Sequence, residues 1–303
     1  MLFMWKGEAV PQLILGTVQL GMPYGIANTV GQPDLVHARE IVETALSCGI
    51  RHFDTAQAYG DSERVLGEAL ADLGASATAC LSSKLSANLD PLDPTQLSAS
   101  IEASLKRLRV DQLWCMMLHR PAWLAHWDGA LGETLCRYRD AGRIQHLGVS
   151  LSTFADAAPV FDNPDVEIVQ VPCNAWDRRA AEQGLLENLR ASGRLACVRS
   201  IYLQGLLTLP PEAAAAKLPQ AREASLRWNH LAQQIQHAPA ALAMRYARTL
   251  NTPLVVGAES KAQVADTARL ASLPPLTPAD IQLVRAIVDP HLTETILEPP
   301  RWS

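Results

Sequence analysis

An eightfold alternation between short apolar runs and amphipathic stretches limits the folds open to this chain. The runs that resemble strands lie at residues 13–20, 51–56, 79–85, 112–120, 144–152, 166–174, 194–203 and 252–260. The stretches between them show helical patterns, as in residues 34–49, where Asp34 is a typical N-cap and Gly49 a typical end. Near-continuous apolar strands are usually buried on both faces, which indicates a parallel β-sheet.

Eight β/α units over about 250 residues are what a closed (β/α)8 barrel requires. We therefore predict an α/β protein, a TIM barrel that forms one domain over residues 1–303. A doubly wound open sheet is the alternative, but "GTVQLGMPYG" does not fit the Gly-rich phosphate turn of that fold. The connection after the seventh strand, residues 206–251, is the longest, and we expect a lid or substrate wall there. A final helix and an irregular tail packed on the barrel complete the prediction.

Charge and cysteine spacing exclude several classes of function. A net charge of −5 with no basic stripe argues against a nucleic-acid partner, and no apolar run reaches the roughly 18 residues of a membrane span. The amino terminus has no basic region of the kind that begins a signal peptide. No C-x-x-C pair occurs, so we expect a cytoplasmic protein with reduced cysteines in its core, at Cys48, Cys80, Cys115, Cys136, Cys173 and Cys197.

Four polar side chains stand at the ends of three consecutive predicted strands. Asp54 ends the second strand with Tyr59 just beyond it, Lys84 ends the third, and His119 ends the fourth. The carboxyl ends of barrel strands carry the chemistry of this fold, and consecutive strands are neighbours, so we expect these groups to converge. Each one alone has an ordinary structural explanation. Together they would be costly to bury unless they satisfied one another.

The four groups suit proton transfer. A phenol has a reference pKa of about 10, and a nearby ammonium lowers it, which makes Tyr59 a usable general acid or base. Asp54 would keep Lys84 charged and oriented. His119 would donate a hydrogen bond to the substrate oxygen and position it.

Motifs along nearly the whole chain resemble those of the aldo-keto reductases. They are "GTVQLG", "FDTAQAYGDSE", "SSKL", "LHRP", "LGVS", "VQVPCN", "QGLLT" and "VVGAESKAQV", in the family's order. Some of them are similar to bacterial members associated with polysaccharide or sugar metabolism. The resemblance implies hydride transfer between a nicotinamide cofactor and a carbonyl, without a metal. It also implies a catalytic tetrad of Asp54, Tyr59, Lys84 and His119.

The resemblance also implies where the cofactor binds. It assigns the carboxamide to Ser150 and Gln170, the pyrophosphate to the loop after the seventh strand, and the adenosine to the segment after the eighth. A helix that starts near residue 261 would offer backbone N–H groups to a phosphate. The other residues it assigns to the cofactor are Gly16, Thr17, Arg199, Ser200, Leu203, Gln204, Gly205, Gly257, Glu259, Gln263, Asp266 and Thr267.

Several of these positions depart from the family pattern. Leu151 replaces an Asn that would bind the carboxamide, Arg199 replaces a stacking aromatic, and Thr267 replaces an Asn near the adenine. Glu259 stands where Arg or Ser is common and would repel a 2′-phosphate, although Lys261 would offset part of this effect. The family favours NADP(H), which we predict, and NAD(H) is the alternative.

The expected substrate is a small carbonyl compound, an aldehyde, ketone or sugar-derived carbonyl. Polar and aromatic residues predicted at the barrel mouth suit a polar substrate; these are Trp123, Asn174, Asp177, Arg178 and Trp228. Two other functions remain open at this point. One is a nucleotide sensor with slow catalysis, like the potassium-channel β subunits of this fold. The other is a sugar epimerase or lyase that retains its cofactor. The family contains monomers and larger assemblies, so no oligomeric state is predicted.

Overall fold

Eight parallel strands form a closed barrel at the centre of the molecule. The computed structural model describes residues 2–302. A hairpin of β1 (Leu2–Trp5) and β2 (Glu8–Pro11) precedes the barrel. The barrel strands are β3 (Leu13–Gly16), β4 (His52–Asp54), β5 (Cys80–Leu85), β6 (Leu113–Leu118), β7 (Ile144–Ser150), β8 (Val166–Pro172), β9 (Leu195–Arg199) and β10 (Leu254–Gly257). The predicted (β/α)8 barrel is confirmed, since β10 pairs with β3 to close the ring.

Helices surround the barrel and connect its strands. In chain order they are α1 (Val18–Gly21), α2 (Leu35–Ser47), α3 (Ser62–Asp72), α4 (Pro94–Leu108), α5 (Gly132–Asp140), α6 (Ala158–Phe161), α7 (Arg179–Glu182), α8 (Leu185–Ala191), α9 (Pro211–Lys217), α10 (Arg222–Gln234), α11 (Pro239–Thr249), α12 (Lys261–Ala271), α13 (Pro278–Ile287) and α14 (Glu294–Leu297). Within residues 2–302, none of them is both long and apolar enough to cross a membrane.

The predicted start of α2 shows how a capping side chain determines where a helix begins. The Asp34 side chain accepts a hydrogen bond from the backbone N–H of His37 at 2.9 Å, which satisfies one of the free donors at the helix start. The buried face of the helix repeats at helical spacing, with Ala38, Ile41, Val42 and Ala45. The capped end and the apolar stripe therefore orient this helix against the barrel.

The hairpin of β1 and β2 lies across the amino-terminal ends of three barrel strands. Glu8, on β2, accepts hydrogen bonds from Trp114 Nε1 at 3.2 Å and pairs with His146 Nε2 at 3.0 Å. His146 Nδ1 lies 2.7 Å from Glu167, and Lys6 in the hairpin turn also pairs with Glu167. Trp114, His146 and Glu167 are near the starts of β6, β7 and β8. The hairpin thus caps the end of the barrel opposite the polar strand ends.

Five of the six cysteines are buried or half-buried, in line with the prediction that the cysteines belong to the core. All six are free thiols. Cys115, Cys173 and Cys197 are buried, and Cys80 and Cys136 are half-buried. Cys48 is exposed, so the prediction that it belongs to the core is wrong. It caps the carboxyl end of α2, where the chain has already turned towards solvent.

Candidate active site

A buried ion pair joins the ends of β4 and β5. Lys84 Nζ donates to Asp54 Oδ1 at 2.5 Å and to the Thr55 carbonyl oxygen at 3.0 Å, and neither charged side chain is more than 5% exposed. Burial acts to lower the pKa of Lys84, but the charges of Asp54 and Tyr59 outweigh it and raise that pKa. Lys84 is therefore a fixed cation.

The Tyr59 ring lies between this cation and an imidazole. Lys84 Nζ is 5.1 Å from the centroid of the Tyr59 ring, and the His119 ring meets it edge-on with centroids 5.7 Å apart. Burial, and after it the Lys84 charge, lowers the pKa of His119 to about 4. His119 is therefore neutral near pH 7. The structure brings together the four residues of the predicted tetrad, whose catalytic roles stay predictions.

A hydrogen-bonded chain links the predicted carboxamide site to the ion pair. Gln170 Nε2 donates to Asp54 Oδ2 at 2.8 Å, and Ser150 Oγ donates to Gln170 Oε1 at 3.2 Å. Both oxygens of Asp54 are thus occupied, one by Lys84 and the other by Gln170. The sequence analysis did not predict this link, because β4 and β8 are not neighbouring strands of the barrel.

Hydroxyl groups fix the loop that carries Tyr59. Thr17 Oγ1 donates to the Asp54 carbonyl oxygen at 3.0 Å, and Ser62 Oγ donates to the Thr17 carbonyl oxygen at 2.6 Å. Gly21 packs so closely against this loop that an added Cβ would lie 1.9 Å from the Tyr59 carbonyl oxygen. The "GTVQLG" segment therefore needs its second glycine for close approach to the Tyr59 loop.

A cavity of about 810 Å³ opens at the carboxyl ends of the barrel strands, a size typical of ligand sites. Lys84 lies beneath it and the other three tetrad residues line it. All of the predicted cofactor contacts line it as well: Gly16, Thr17, Ser150, Gln170, Arg199, Ser200, Leu203, Gln204, Gly205, Gly257, Glu259, Gln263, Asp266 and Thr267. The cavity therefore runs from the tetrad to α12.

The loop after β9 holds several residues in the left-handed region. Ser200 (φ +62°), Leu203 (φ +48°) and Gln204 (φ +54°) are not glycines, and Gly205 follows at φ +91°. A Cβ on Gly205 would lie 2.4 Å from the Ala27 Cβ, and the Ala27 N–H points to the Gln204 carbonyl at 3.4 Å. Such backbone conformations cost energy and persist where the surrounding structure enforces them, often at functional sites.

At the far end of the cavity lies the Glu259 carboxylate, which forms no ion pair within residues 2–302. Burial raises the pKa of Glu259, whose backbone N–H donates to Gln263 Oε1 at 2.7 Å. Ser260 Oγ caps α12 by accepting from the Gln263 N–H at 3.3 Å. Lys261 Nζ donates to Glu40 on α2 at 3.0 Å. The cation expected to offset Glu259 is therefore paired with another carboxylate.

Several wall residues have no counterpart in the sequence prediction. Tyr24 and Gln19 line the cavity, and Gln19 Oε1 is buried without a hydrogen-bond partner among residues 2–302. Residues 297–300 of the tail also line it. The one available sequence signal for Tyr24 was that it is an aromatic residue soon after a strand end. The tail segment carries no local pattern that points to a site.

Some residues expected at the mouth lie elsewhere. Trp228 is fully buried and donates from Nε1 to the Leu207 carbonyl at 2.9 Å, and Trp123 is also in the core. Arg178 is buried against Glu182 and Asp289. These three placements were wrong, because all three side chains are buried, and Trp228 and Arg178 find their polar partners inside the protein. Asn174 and Asp177 do line the cavity.

The long connection after β9 is a layer of packed helices, α9 to α11, and not an open lid. It contributes Thr208, Leu209 and Ala240 to the cavity wall. Among residues 2–302, no group of three or more His, Cys, Asp or Glu side chains is arranged to hold a metal ion.

Comparisons with known proteins identify the family of this chain. Residues 12–289 fit the model of the Aldo/keto reductase family. The chain is 27% identical over 252 residues to 6-dehydroglucose reductase of Novosphingobium aromaticivorans, across 76% of this chain and 79% of that protein. It is 25% identical over 287 residues to a putative voltage-gated potassium channel subunit beta of Schizosaccharomyces pombe, across 87% and 75%. The match to aldo-keto reductase YhdN of Bacillus subtilis, 29% identical, covers 54% of this chain and 51% of that protein.

Solved structures show the same fold at low identity. Glycerol dehydrogenase from Gluconobacter oxydans has a TM-score of 0.74 and 22% identity, covering 94% of this chain and 93% of that one. The holo form of an aldo-keto reductase from Bacillus halodurans has a TM-score of 0.76 and 21% identity, covering 96% and 97%. With the family match over residues 12–289, the conclusion is that the chain belongs to the aldo/keto reductase family, a family of NAD(P)-dependent oxidoreductases.

Proposed function

We propose that this protein reduces an aldehyde or ketone to an alcohol, or catalyses the reverse, with Tyr59 as general acid and base. The observation that carries the proposal is the buried Asp54–Lys84 pair beneath Tyr59, with a neutral His119 at the edge of the Tyr59 ring. A cation close to a phenol stabilises the phenolate, and this makes proton transfer by tyrosine easier near neutral pH.

Each residue then has a distinct task. Asp54 holds Lys84 in place, and Lys84 stabilises negative charge on the Tyr59 oxygen as its proton moves to the substrate. Neutral His119 offers an N–H to the carbonyl oxygen. A bound nicotinamide dinucleotide supplies or accepts the hydride. The hydrogen-bonded chain through Gln170 and Ser150 keeps the carboxylate from turning away from Lys84.

A dinucleotide fits the residues that line the cavity. The cavity extends from the tetrad to Glu259, and Gln19 leaves a buried amide oxygen in its wall without a partner among residues 2–302. NADP(H), the preference that the resemblance predicts, stays a prediction. The charges favour NAD(H), because Lys261 pairs with Glu40 and Glu259 would repel a 2′-phosphate.

The substrate class is inferred from a relative and from the polar groups of the cavity wall. One relative bears the name 6-dehydroglucose reductase, which supports a sugar-derived carbonyl. Asn174 and Asp177 add polar groups to the cavity wall, although each is already bonded within its own loop. We propose a polar, sugar-like carbonyl compound as the substrate class.

Replacing Tyr59 with Phe tests the proposed reaction. General acid–base catalysis contributes about 10²- to 10⁴-fold, so Tyr59→Phe should lower kcat by that factor. The Kd for the dinucleotide should change little, because the ring remains. Tyr138→Phe is the matched control, since Tyr138 is half-buried, lies on α5 and donates to the Ser98 carbonyl at 3.3 Å. Full turnover by Tyr59→Phe would refute the role of this phenol.

A nucleotide sensor is the second candidate function. One relative is named as a potassium channel subunit beta, and the match covers 87% of this chain. The complete tetrad geometry favours catalysis over sensing. A panel of aldehydes and sugars, followed by nicotinamide absorbance, separates the two functions: turnover on none of them would favour the sensor.

A further inference from the structure

Arg199 places an unbalanced positive charge in the cavity wall. It ends β9, and its guanidinium donates to the Leu151 carbonyl oxygen at 2.9 Å and to Ser200 Oγ at 3.0 Å. Both acceptors are neutral, and no carboxylate among residues 2–302 forms an ion pair with it. Arg179, in the same wall, pairs with Asp177 at 2.8 Å and with Glu298 at 3.2 Å. Arg199 is thus a cation whose charge the protein does not cancel locally.

This charge acts on the catalytic centre. The charges of Lys84 and Asp54 cancel each other within their ion pair, and His119 is neutral near pH 7, so Arg199 leaves this part of the cavity with a net positive charge. Burial, Lys84 and Arg199 all act to lower the pKa of His119. Arg199 also lines the same cavity as Tyr59 and His119, so its charge lies in the wall around the reacting carbonyl.

The ring of a nicotinamide dinucleotide must share this part of the cavity. Hydride transfer requires the reacting atoms to come within about 3–3.5 Å, so the ring lies beside the carbonyl that Tyr59 and His119 hold. The oxidised ring carries a positive charge and the reduced ring is neutral. A fixed cation nearby repels the oxidised ring and leaves the reduced ring unaffected.

We propose that Arg199 makes the cavity bind the reduced dinucleotide more tightly than the oxidised one. This inference rests on the proposed function, because it requires a nicotinamide dinucleotide in the cavity. Two like charges that share one partly buried cavity repel each other, and a difference of 1.4 kcal/mol is enough for a tenfold change in Kd. Arg199 therefore favours an enzyme loaded with the reduced form, ready to reduce a carbonyl, and it speeds release of the oxidised form.

The test is a set of dissociation constants measured without substrate. Isothermal titration calorimetry gives Kd for NADH, NAD⁺, NADPH and NADP⁺ with the wild-type protein and with Arg199→Gln and Arg199→Lys. One pair of nucleotides, NAD⁺ and NADH or NADP⁺ and NADPH, should bind. For that pair and the wild-type protein, the Kd of the oxidised form divided by the Kd of the reduced form should be at least ten. Arg199→Gln should lower this ratio at least tenfold, mainly through tighter binding of the oxidised form. Arg199→Lys should keep it, because the charge remains.

Arg194→Gln is the matched control. Arg194 lies directly before β9, at the opposite end of that strand from Arg199. Its acceptors within residues 2–302 are also neutral; they are the carbonyl oxygens of Val160, Asn163 and Val166 at 2.9–3.0 Å. Its substitution removes the same charge outside the cavity and should leave the ratio within twofold of wild type.

The outcomes separate the inference from the proposed function. A wild-type ratio of one or less overturns the inference even if no variant folds. If Arg199→Gln weakens the binding of the oxidised and the reduced dinucleotide equally, the inference is also overturned, and Arg199 is instead a contact for the phosphates. A loss of the ratio in Arg199→Lys shows that shape, not charge, is responsible, and again overturns it. Failure of all four nucleotides to bind refutes the proposed function itself.

Discussion

At the scale of single residues, substituting both partners of the Asp54–Lys84 pair should destabilise the protein less than the separate effects of substituting each partner would suggest. Removing one partner of a buried ion pair leaves an uncompensated charge, which costs about 3–5 kcal/mol. We expect Asp54→Asn and Lys84→Met each to lower the free energy of unfolding, measured in urea, by that amount. The exposed Lys261–Glu40 pair provides the control, and Glu40→Gln should cost less than about 1 kcal/mol.

The double variant Asp54→Asn/Lys84→Met should be less destabilised than the sum of the two single variants, because neither charge is then left alone. Losses that simply add would mean that the two groups do not depend on each other. In that case the 2.5 Å contact would contribute no coupling energy.

At the scale of secondary-structure elements, apolar runs predicted the eight barrel strands but not where each one ends. The run at residues 13–20 was predicted as one strand, yet β3 stops at Gly16 and α1 begins at Val18. Gln19, Leu20 and Gly21 of α1 are still buried, so their composition cannot show that the chain has turned. The bond from Thr17 to the Asp54 carbonyl, far away in sequence, sets this turn.

The amino-terminal hairpin was missed for a different reason. Leu2 and Met4 on β1 are 64% and 72% exposed, so the strand does not show the continuous burial of the barrel strands. Its attachment depends on His146 from β7 and Glu167 from β8, which meet residues of the hairpin. The turn at Lys6 and Gly7, between two short runs, was the available signal.

The attachment of this hairpin should weaken in acid. The hydrogen bond with His146 lowers the pKa of Glu167 to about 2, against the effect of burial and with help from Lys6. The ordinary pKa of 4.5 applies in the unfolded chain, so the stabilisation is complete above that pH and is lost as the pH falls towards 2. Unfolding curves from pH 6 to 3 should therefore show a steeper loss for wild type than for Glu167→Gln. Parallel curves would contradict this assignment.

At the scale of the whole molecule, the site draws on parts of the chain that no local pattern connects. Charged and polar residues at strand ends could be predicted, because the barrel fixes where strand ends meet. The wall formed by residues 297–300 could not be predicted, because a tail reaches the cavity only through contacts made after the barrel exists. The misplaced Trp228 shows the same limit, since its partner, the Leu207 carbonyl, is fixed only by the tertiary fold.

Arg178 ties this tail region to the barrel. Its side chain is 6% exposed and pairs with Asp289 and, at 3.0 Å, with Glu182. We expect Arg178→Met to lower the free energy of unfolding by about 1.5–3 kcal/mol, because its hydrogen bonds to charged groups are lost, and to raise KM, because the wall formed by the tail loosens. Arg285→Met is the control, since Arg285 pairs with the same Glu182 at 2.8 Å but is 43% exposed. Equal losses in the two variants would show that burial does not matter here.

The pairing of β3 with β10 has a consequence for the order of events during synthesis. Asp54 and Lys84 leave the ribosome long before Leu254 can pair with Leu13 and complete the ring. At about 5–20 residues per second, the 241 residues from Leu13 to Leu254 take an interval on the order of ten to fifty seconds. Throughout it, β3 presents an unpaired edge. The nascent chain must therefore be shielded from other chains for as long as its first strand waits for its last.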